Sequence, residues 1–171
     1  MVTETKALKL KGQTAVFIDY ANVYGWNKSL KRPISPKKLF QYLKKYSEIK
    51  LINFYYGTDN HPKSKKFLQD IKKIGYRLTT KPVKHITLSL GHKIRKCDFD
   101  IEICMAVYAC LDKNYSSFIF FSGDGDFAPL YQYLIEHHKQ VIVVYCAGHI
   151  DRGIWSIKRG LFKIQIDQLP L

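Results

Sequence analysis

Five acidic side chains stand at intervals that could hold a divalent cation. Asp19 closes the apolar run TAVFID. Asp124 and Asp126 stand two apart in FFSGDGDFAPL, directly after the apolar run SFIFFS, and Asp100 and Glu102 lie upstream of it in KCDFDIEI. Carboxylates packed together repel one another and lose hydration, and a divalent cation among them offsets both costs. Magnesium and manganese prefer oxygen ligands and keep positions open for water and phosphate. An all-carboxylate set without histidine, in a chain otherwise rich in positive charge, points to metal-assisted cleavage of a phosphodiester. The ion would hold the scissile phosphate, lower the pKa of an attacking water and stabilise the leaving oxygen.

Each residue alone has a plainer reading. An Asp after a strand forms a turn or caps a helix, and acids at a helix start favour its dipole. Only joint placement at one end of a sheet would separate a metal site from these. Asn22, three residues after Asp19, either caps a helix or orients a carboxylate or water. Ser122 either bonds the turn backbone or touches phosphate, and Gly123 and Gly125 permit a sharp turn with close backbone approach. The stretch is not a phosphate loop, since no GxxxxGK[ST] occurs.

The elements that must position these residues read as alternating strands and helices. TAVFID, KLINFYY, YRLTT, SFIFFS and VIVVYC are short apolar strands, and LFKIQI is a candidate edge strand. Ser35-Pro36 opens a helix carrying Leu39, Phe40 and Leu43, and a basic amphipathic helix runs from Pro62 to Ile74 and stops at Gly75. The spacing predicts further helices over 99–111, with Asp98 as its N-cap, over 127–138, and over 154–158. Residues 81–95, with SLGHK around Gly91, read as a hairpin or a flexible loop. Continuous apolar strands alternating with helices indicate an α/β fold with a mostly parallel sheet covered on both faces. In such folds the first and fourth strands are commonly neighbours at the switch in strand order, where ligands bind. That would bring Asp19, Asp124 and Asp126 to one crevice, with Asp100 and Glu102 in reach.

A chain of 171 residues suits one domain with a real core. Residues 1–12 read as a short polar segment and 13–171 as a single domain. Basic residues outnumber acidic ones 28 to 14, a formal charge of +14, which indicates an anionic partner, nucleic acid before a membrane surface. From Lys63 to Lys96 the basic residues, among them Lys63, Lys65, Lys66, Lys93, Arg95 and Lys96, face Asp70 as the lone acid. Such a run tracks a phosphate backbone. Tyr24, Trp26, Tyr55 and Tyr56 either stack unpaired bases or pack the core. His149 and Arg152 are candidates for the same rim. The four cysteines form no CxxC pair, which speaks against structural zinc, and buried thiols in a reducing cytosol are the default. No apolar run approaches a membrane span and no signal-peptide pattern opens the chain, so a cytoplasmic location is expected.

FIDYANVYG, followed far downstream by FFSGDGDFAPL, resembles the NYN domain family, a branch of the PIN-like nuclease superfamily. The family pattern is matched by Asp19 and Asn22, by Asp100 and Glu102 within KCDFDIEI, and by Ser122 to Phe127 with Pro129 and Leu130. The resemblance spans roughly residues 14 to 158. It implies a PIN-like three-layer α/β/α sandwich and metal-dependent RNA cleavage. It also implies Asp19, Asp100, Asp124 and Asp126 as catalytic and metal-binding residues for Mg2+ or Mn2+, Asn22, Glu102 and Ser122 in support, and RNA as the partner. A homodimer is compatible with it. Many relatives carry a further Asp six residues after the helix-start Asp, where this chain has Ala106. That departure keeps a second reading open, a non-catalytic RNA-binding regulator of the same fold. An aspartyl phosphatase would want a second Asp at position 21, which is Ala, and a DxD nucleotide-sugar transferase would leave Asp19 and the basic face unexplained.

Overall fold

A computed structural model of the chain describes residues 7–30, 33–87 and 93–171. The order is β1 (Thr14–Asp19), α1 (Tyr20–Trp26), α2 (Pro36–Leu43), β2 (Ile49–Thr58), α3 (Pro62–Ile74), β3 (Arg77–Pro82), β4 (Lys84–Thr87), β5 (Lys93–Lys96) and α4 (Asp100–Leu111). It continues with β6 (Ser117–Phe121), a 3-10 turn (Gly125–Phe127), α5 (Ala128–Glu136), β7 (Gln140–Tyr145), α6 (Arg152–Ser156), β8 (Leu161–Gln165) and a last 3-10 turn (Ile166–Gln168).

Six strands form one sheet in the order β3-β2-β1-β6-β7-β8. Every neighbouring pair in it is parallel. The order reverses between β1 and β6, so the sheet has its switch point where the sequence pattern placed it. β1 and β6 run in register from Thr14 opposite Ser117 to Ile18 opposite Phe121. One residue further along lie Asp19 and Ser122.

Period-two alternation in the central strands feeds two cores. Val16, Ile18, Ile119, Phe121, Ile142 and Val144 face one, closed by α1, α2 and α3 through Trp26, Leu43 and Ile71. Phe17, Phe118, Phe120, Val141 and Val143 face the other, closed by α4, α5 and α6 through Val107, Leu134 and Ile154. The result is the expected three-layer α/β/α sandwich. Its central strands are buried on both faces, which is why they read as unbroken apolar runs.

The end of the sheet where the strands start is closed by polar groups that satisfy one another. Ser117 donates from Oγ to Gln140 Oε1 at 2.6 Å, and both accept from the Lys11 amide, at 3.1 and 3.0 Å. Gln140 Nε2 donates to the Lys9 carbonyl at 2.8 Å. Leu8 is buried nearby. The described part of the N-terminal segment is therefore strapped across the sheet.

Several local expectations need correction. α1 has no counterpart among the elements read from the sequence. It is seven residues long and contains Gly25, so it forms because Tyr20, Val23 and Trp26 are buried, not because its sequence favours a helix. Asp98 does not cap α4. Phe99 occupies that position with no side-chain bond, its ring anchored in the core, and Asp98 pairs instead with Lys96 at 3.2 Å. Trp26 and Tyr55 are each 1% exposed and belong to the cores, so neither can stack a base. Residues 81–95 contain a real hairpin, β4 antiparallel to β5. The tip around Gly91 lies outside the described residues.

Candidate active site

Asp19 is 8% exposed at the end of β1 and caps α1. Its Oδ1 accepts from the Ala21 amide at 3.1 Å and its Oδ2 from Asn22 Nδ2 at 2.9 Å. These bonds fix the carboxylate. Asn22 Oδ1 in turn accepts from the Gly123 amide at 3.4 Å. One amide side chain therefore ties the tip of β1 to the turn after β6. In that turn Ser122 Oγ accepts from the Asp124 amide at 3.2 Å, and Asp124 Oδ1 accepts from the Asp126 amide at 3.1 Å. Both are local turn bonds of the kind Ser and Asp favour. The turn is clamped from outside, because the Asp151 amide donates to the Gly123 carbonyl at 2.9 Å. A Cβ on Gly123 would stand 1.8 Å from the His149 carbonyl oxygen, so only glycine fits there.

The electrostatics show which acids share this place. Burial raises the Asp19 carboxyl above the usual range, bonds from Asn22 and Ala21 oppose it, and the charge of Asp124 adds to the rise. Asp100, the first residue of α4, is raised by burial and then by Asp124, Asp98, Asp19 and Asp126. Residues from three separate segments thus feel one another's charge at the carboxyl end of the sheet. Glu102 differs from them in having a cationic partner. Its carboxylate takes a 2.7 Å bond from Lys81, whose ammonium also lies 4.7 Å from the Phe99 ring centre, and this holds its pKa low.

Tyr131 on α5 is a residue the sequence reading missed. It is fully buried, and among the described residues its hydroxyl has no hydrogen-bond partner. Burial raises its pKa well above the usual value, and Asp124 and Asp19 add to the rise. Nothing local marks it, since Tyr at an apolar helix position reads as core.

Among the described residues no three of His, Cys, Asp and Glu stand in a ready metal-binding cluster. The donor set still fits magnesium or manganese. All the candidates are oxygen donors, two are destabilised as anions by their surroundings, and such ions usually take one or two carboxylates and keep several waters. The unpartnered Tyr131 hydroxyl beside the acids is suited to a water held in that place.

The sequence profile of the NYN domain matches residues 13–152. The chain belongs to the NYN domain family. The family is nuclease-like as a class. A relative of this NYN domain, the low amplitude and bright protein LabA of Synechococcus elongatus, is 28% identical over 144 residues, covering 82% of this chain and 77% of LabA. A crystal structure of a Vibrio parahaemolyticus protein of unknown function, VPA0982, superposes with a TM-score of 0.71 at 21% identity, over 95% of this chain and 98% of that one. At that identity the likeness speaks for the fold alone.

Elsewhere in the NYN domain, Lys63, Lys65 and Lys66 are exposed on α3, as is Lys96 on β5. Lys93 and Arg95 also lie on β5, but their side chains fall outside the described residues. Tyr24 is 65% exposed and Tyr56 half-buried, so of the four candidate stacking aromatics these two reach the surface. The His149 ring hydrogen-bonds Ser29 Oγ at 2.6 Å, and Arg152 opens α6, exposed. All four cysteines are free thiols. Among the described residues no helix is long and apolar enough to cross a membrane.

The raised carboxyls give a stability prediction. Asp100 starts from a reference of 3.8 and is higher in the folded domain. The folded state therefore binds more protons than the unfolded chain just above that value. Stability falls as pH rises through the folded pKa and stays lower above it. Asp100→Asn removes this penalty at neutral pH and changes nothing below both pKa values. In EDTA at pH 7 the variant is expected to melt above wild type, with the two melting temperatures converging below about pH 3.5. Identical melting at pH 7 would count against the crowding of charge.

Proposed function

We propose that this NYN domain is a metal-dependent ribonuclease, hydrolysing RNA phosphodiester bonds at Asp19, Asp100, Asp124 and Asp126 with Mg2+ or Mn2+. The observation that supports the reading is the arrival of acids from three segments at the switch point of the sheet, where burial and then neighbouring acids raise the Asp19 and Asp100 carboxyls. A capping role explains the backbone bonds of Asp19 and Asp124 but not why acids from separate segments meet at one end of the sheet. When bound, the ion supplies charge against the phosphate oxygens and acidifies a water. The chain supplies the rest. Asp19 and Asp124 are held in fixed orientation by Asn22 and by the SGDGD turn, so they would take up a cation without reorganising. The burial of Asp19 keeps bulk water from screening the site. Asp126, exposed and next to Asp124, is placed to orient or deprotonate the attacking water.

A second reading is a non-catalytic RNA-binding regulator. Ala106 favours it, packing against the core where many relatives place a further acid. Incubation of the purified protein with labelled single-stranded and structured RNAs, in manganese, magnesium or EDTA, separates the two. Cleavage that EDTA abolishes supports the nuclease. Tight RNA binding without cleavage, and without heat on calorimetric titration with manganese, supports the regulator.

Both readings need the basic face. Changing Lys63, Lys65 and Lys66 together to Gln is expected to flatten the slope of log affinity against log salt. The change is about 0.7 for each phosphate of a single strand that is no longer neutralised. An unchanged slope would place the RNA on another face.

A further inference from the structure

A groove of about 740 Å³ opens beside the acids, between α1, the end of β2, the start of α3 and the base of the hairpin. We infer that it receives an unpaired nucleobase of the RNA strand whose backbone crosses the carboxylates. The inference rests on the RNA reading above and adds to it a preference for single strands.

The groove and the acids share one turn of helix. Asp19 is the cap of α1, and Tyr20, Ala21 and Tyr24 of that helix line the groove. A strand whose backbone passes Asp19 therefore has its next base within reach of these rings. The floor is aromatic and already packed. Tyr20 lies 5.0 Å from Phe67 and 5.9 Å from Tyr56, and Tyr56 lies 4.9 Å from Phe67, measured between ring centres. Tyr24 is different. Its ring is mostly in solvent, 6.1 Å from Tyr20 and tilted by 48°. A flat apolar face left open at the lip of an aromatic floor suits a base that inserts and stacks. The Tyr56 hydroxyl and Ser64 Oγ, 3.3 Å apart, offer donors and acceptors to the base edge.

The charge around the groove agrees with this occupant. Lys63 lines the groove together with one acid, Asp59, and Lys65 and Lys66 follow on the exposed side of α3, so cations prevail at its mouth. The far wall is the hairpin base, where Val83 and Cys97 close down on Gly57. A Cβ there would come within 2.9 Å of Val83 and 2.8 Å of the Cys97 sulfur. That close approach sets the basic hairpin beside the groove. A duplex keeps its bases paired and stacked inside, and offers this floor nothing to bind.

The test uses a single-stranded RNA hexamer containing aminopurine, a fluorescent adenine analogue, and the duplex of the same sequence, in EDTA so that no cleavage is needed. Anisotropy of an end label reads binding, and quenching of the aminopurine reads stacking. Wild type is expected to bind the hexamer with quenching and to prefer it to the duplex. Tyr24→Ala should weaken hexamer binding by roughly five- to a hundredfold and lose the quenching, while Tyr24→Phe keeps both. Hexamer binding with no quenching, or with quenching and affinity unchanged in Tyr24→Ala, overturns the groove and leaves the RNA reading standing. No binding of the hexamer by anisotropy removes both.

Discussion

Asp124→Asn is expected to lower metal-dependent RNA cleavage by roughly a hundredfold or more while the domain stays folded and still binds RNA. The charge of Asp124 adds to the raised pKa of Asp19, Asp100 and Tyr131. Its structural duty is a single bond, Oδ1 accepting from the Asp126 amide. Asn caps about as well as Asp, so the turn survives the change. What the substitution removes is charge. Three readouts should then move apart. Cleavage in manganese collapses. The melting temperature in EDTA rises, because repulsion with Asp19 and Asp100 is relieved. The further rise that manganese gives wild type, which follows the logarithm of metal concentration over its dissociation constant, disappears. A folded Asp124→Asn protein that cuts RNA at the wild-type rate would reject the metal site.

Gly123→Ala is expected to be the most damaging single methyl group in the domain. The added carbon would overlap the His149 carbonyl oxygen at 1.8 Å and press on the Ile150 Cα at 3.2 Å. Neither side can yield freely. The Gly123 carbonyl is held by the Asp151 amide, its own amide by Asn22, and His149 is bridged to Cys146 at the end of β7. Overpacking of this kind costs roughly 1–3 kcal/mol. In a domain of this size that lowers the melting temperature by roughly 3–10 °C. Activity should fall much further than stability, since a displacement of about 1 Å at a reacting centre can cost on the order of a hundredfold. Gly25→Ala is the matched control. It lies within α1 with open space around it, and alanine there should stabilise slightly. Thermal melts and cleavage rates on the two variants check both halves. A Gly123→Ala protein with wild-type melting and cleavage would mean the turn after β6 has slack.

The sheet was legible because its strands are buried on both faces, so apolar runs such as FIFF declare themselves without context. α3 was legible to the residue, opening at Pro62 and ending before Gly75. The adjacency of Asp19 to the turn after β6 was legible because strand ends and the switch point follow from strand order. What the sequence hid was tertiary. α1 forms around Tyr20, Val23 and Trp26 only because a core is there to receive them. Glu102 sits two residues from Asp100, yet it is Lys81, 21 positions away in sequence, that pairs with it. No local pattern announces that partner. Tyr131 looks like any apolar helix residue until its hydroxyl is seen beside Asp124. Trp26 shares α1 with Tyr24, and Tyr55 stands beside Tyr56 in β2, and only the facing of each ring decides which are core.

The polar strap across the start of the sheet has a consequence for the molecule as a whole. Ser117, Gln140 and the Lys9 and Lys11 backbone satisfy one another, so that pole is bound shut. The opposite pole stores repulsion. Stability and chemistry are thereby lodged at opposite ends of the same six strands, separated along β6 by its five residues. A sequence drifting over generations can dull or sharpen the acidic pole, gaining or losing a carboxylate as at position 106, without loosening the frame. Such a fold is free to pass between cutting a nucleic acid and merely holding one.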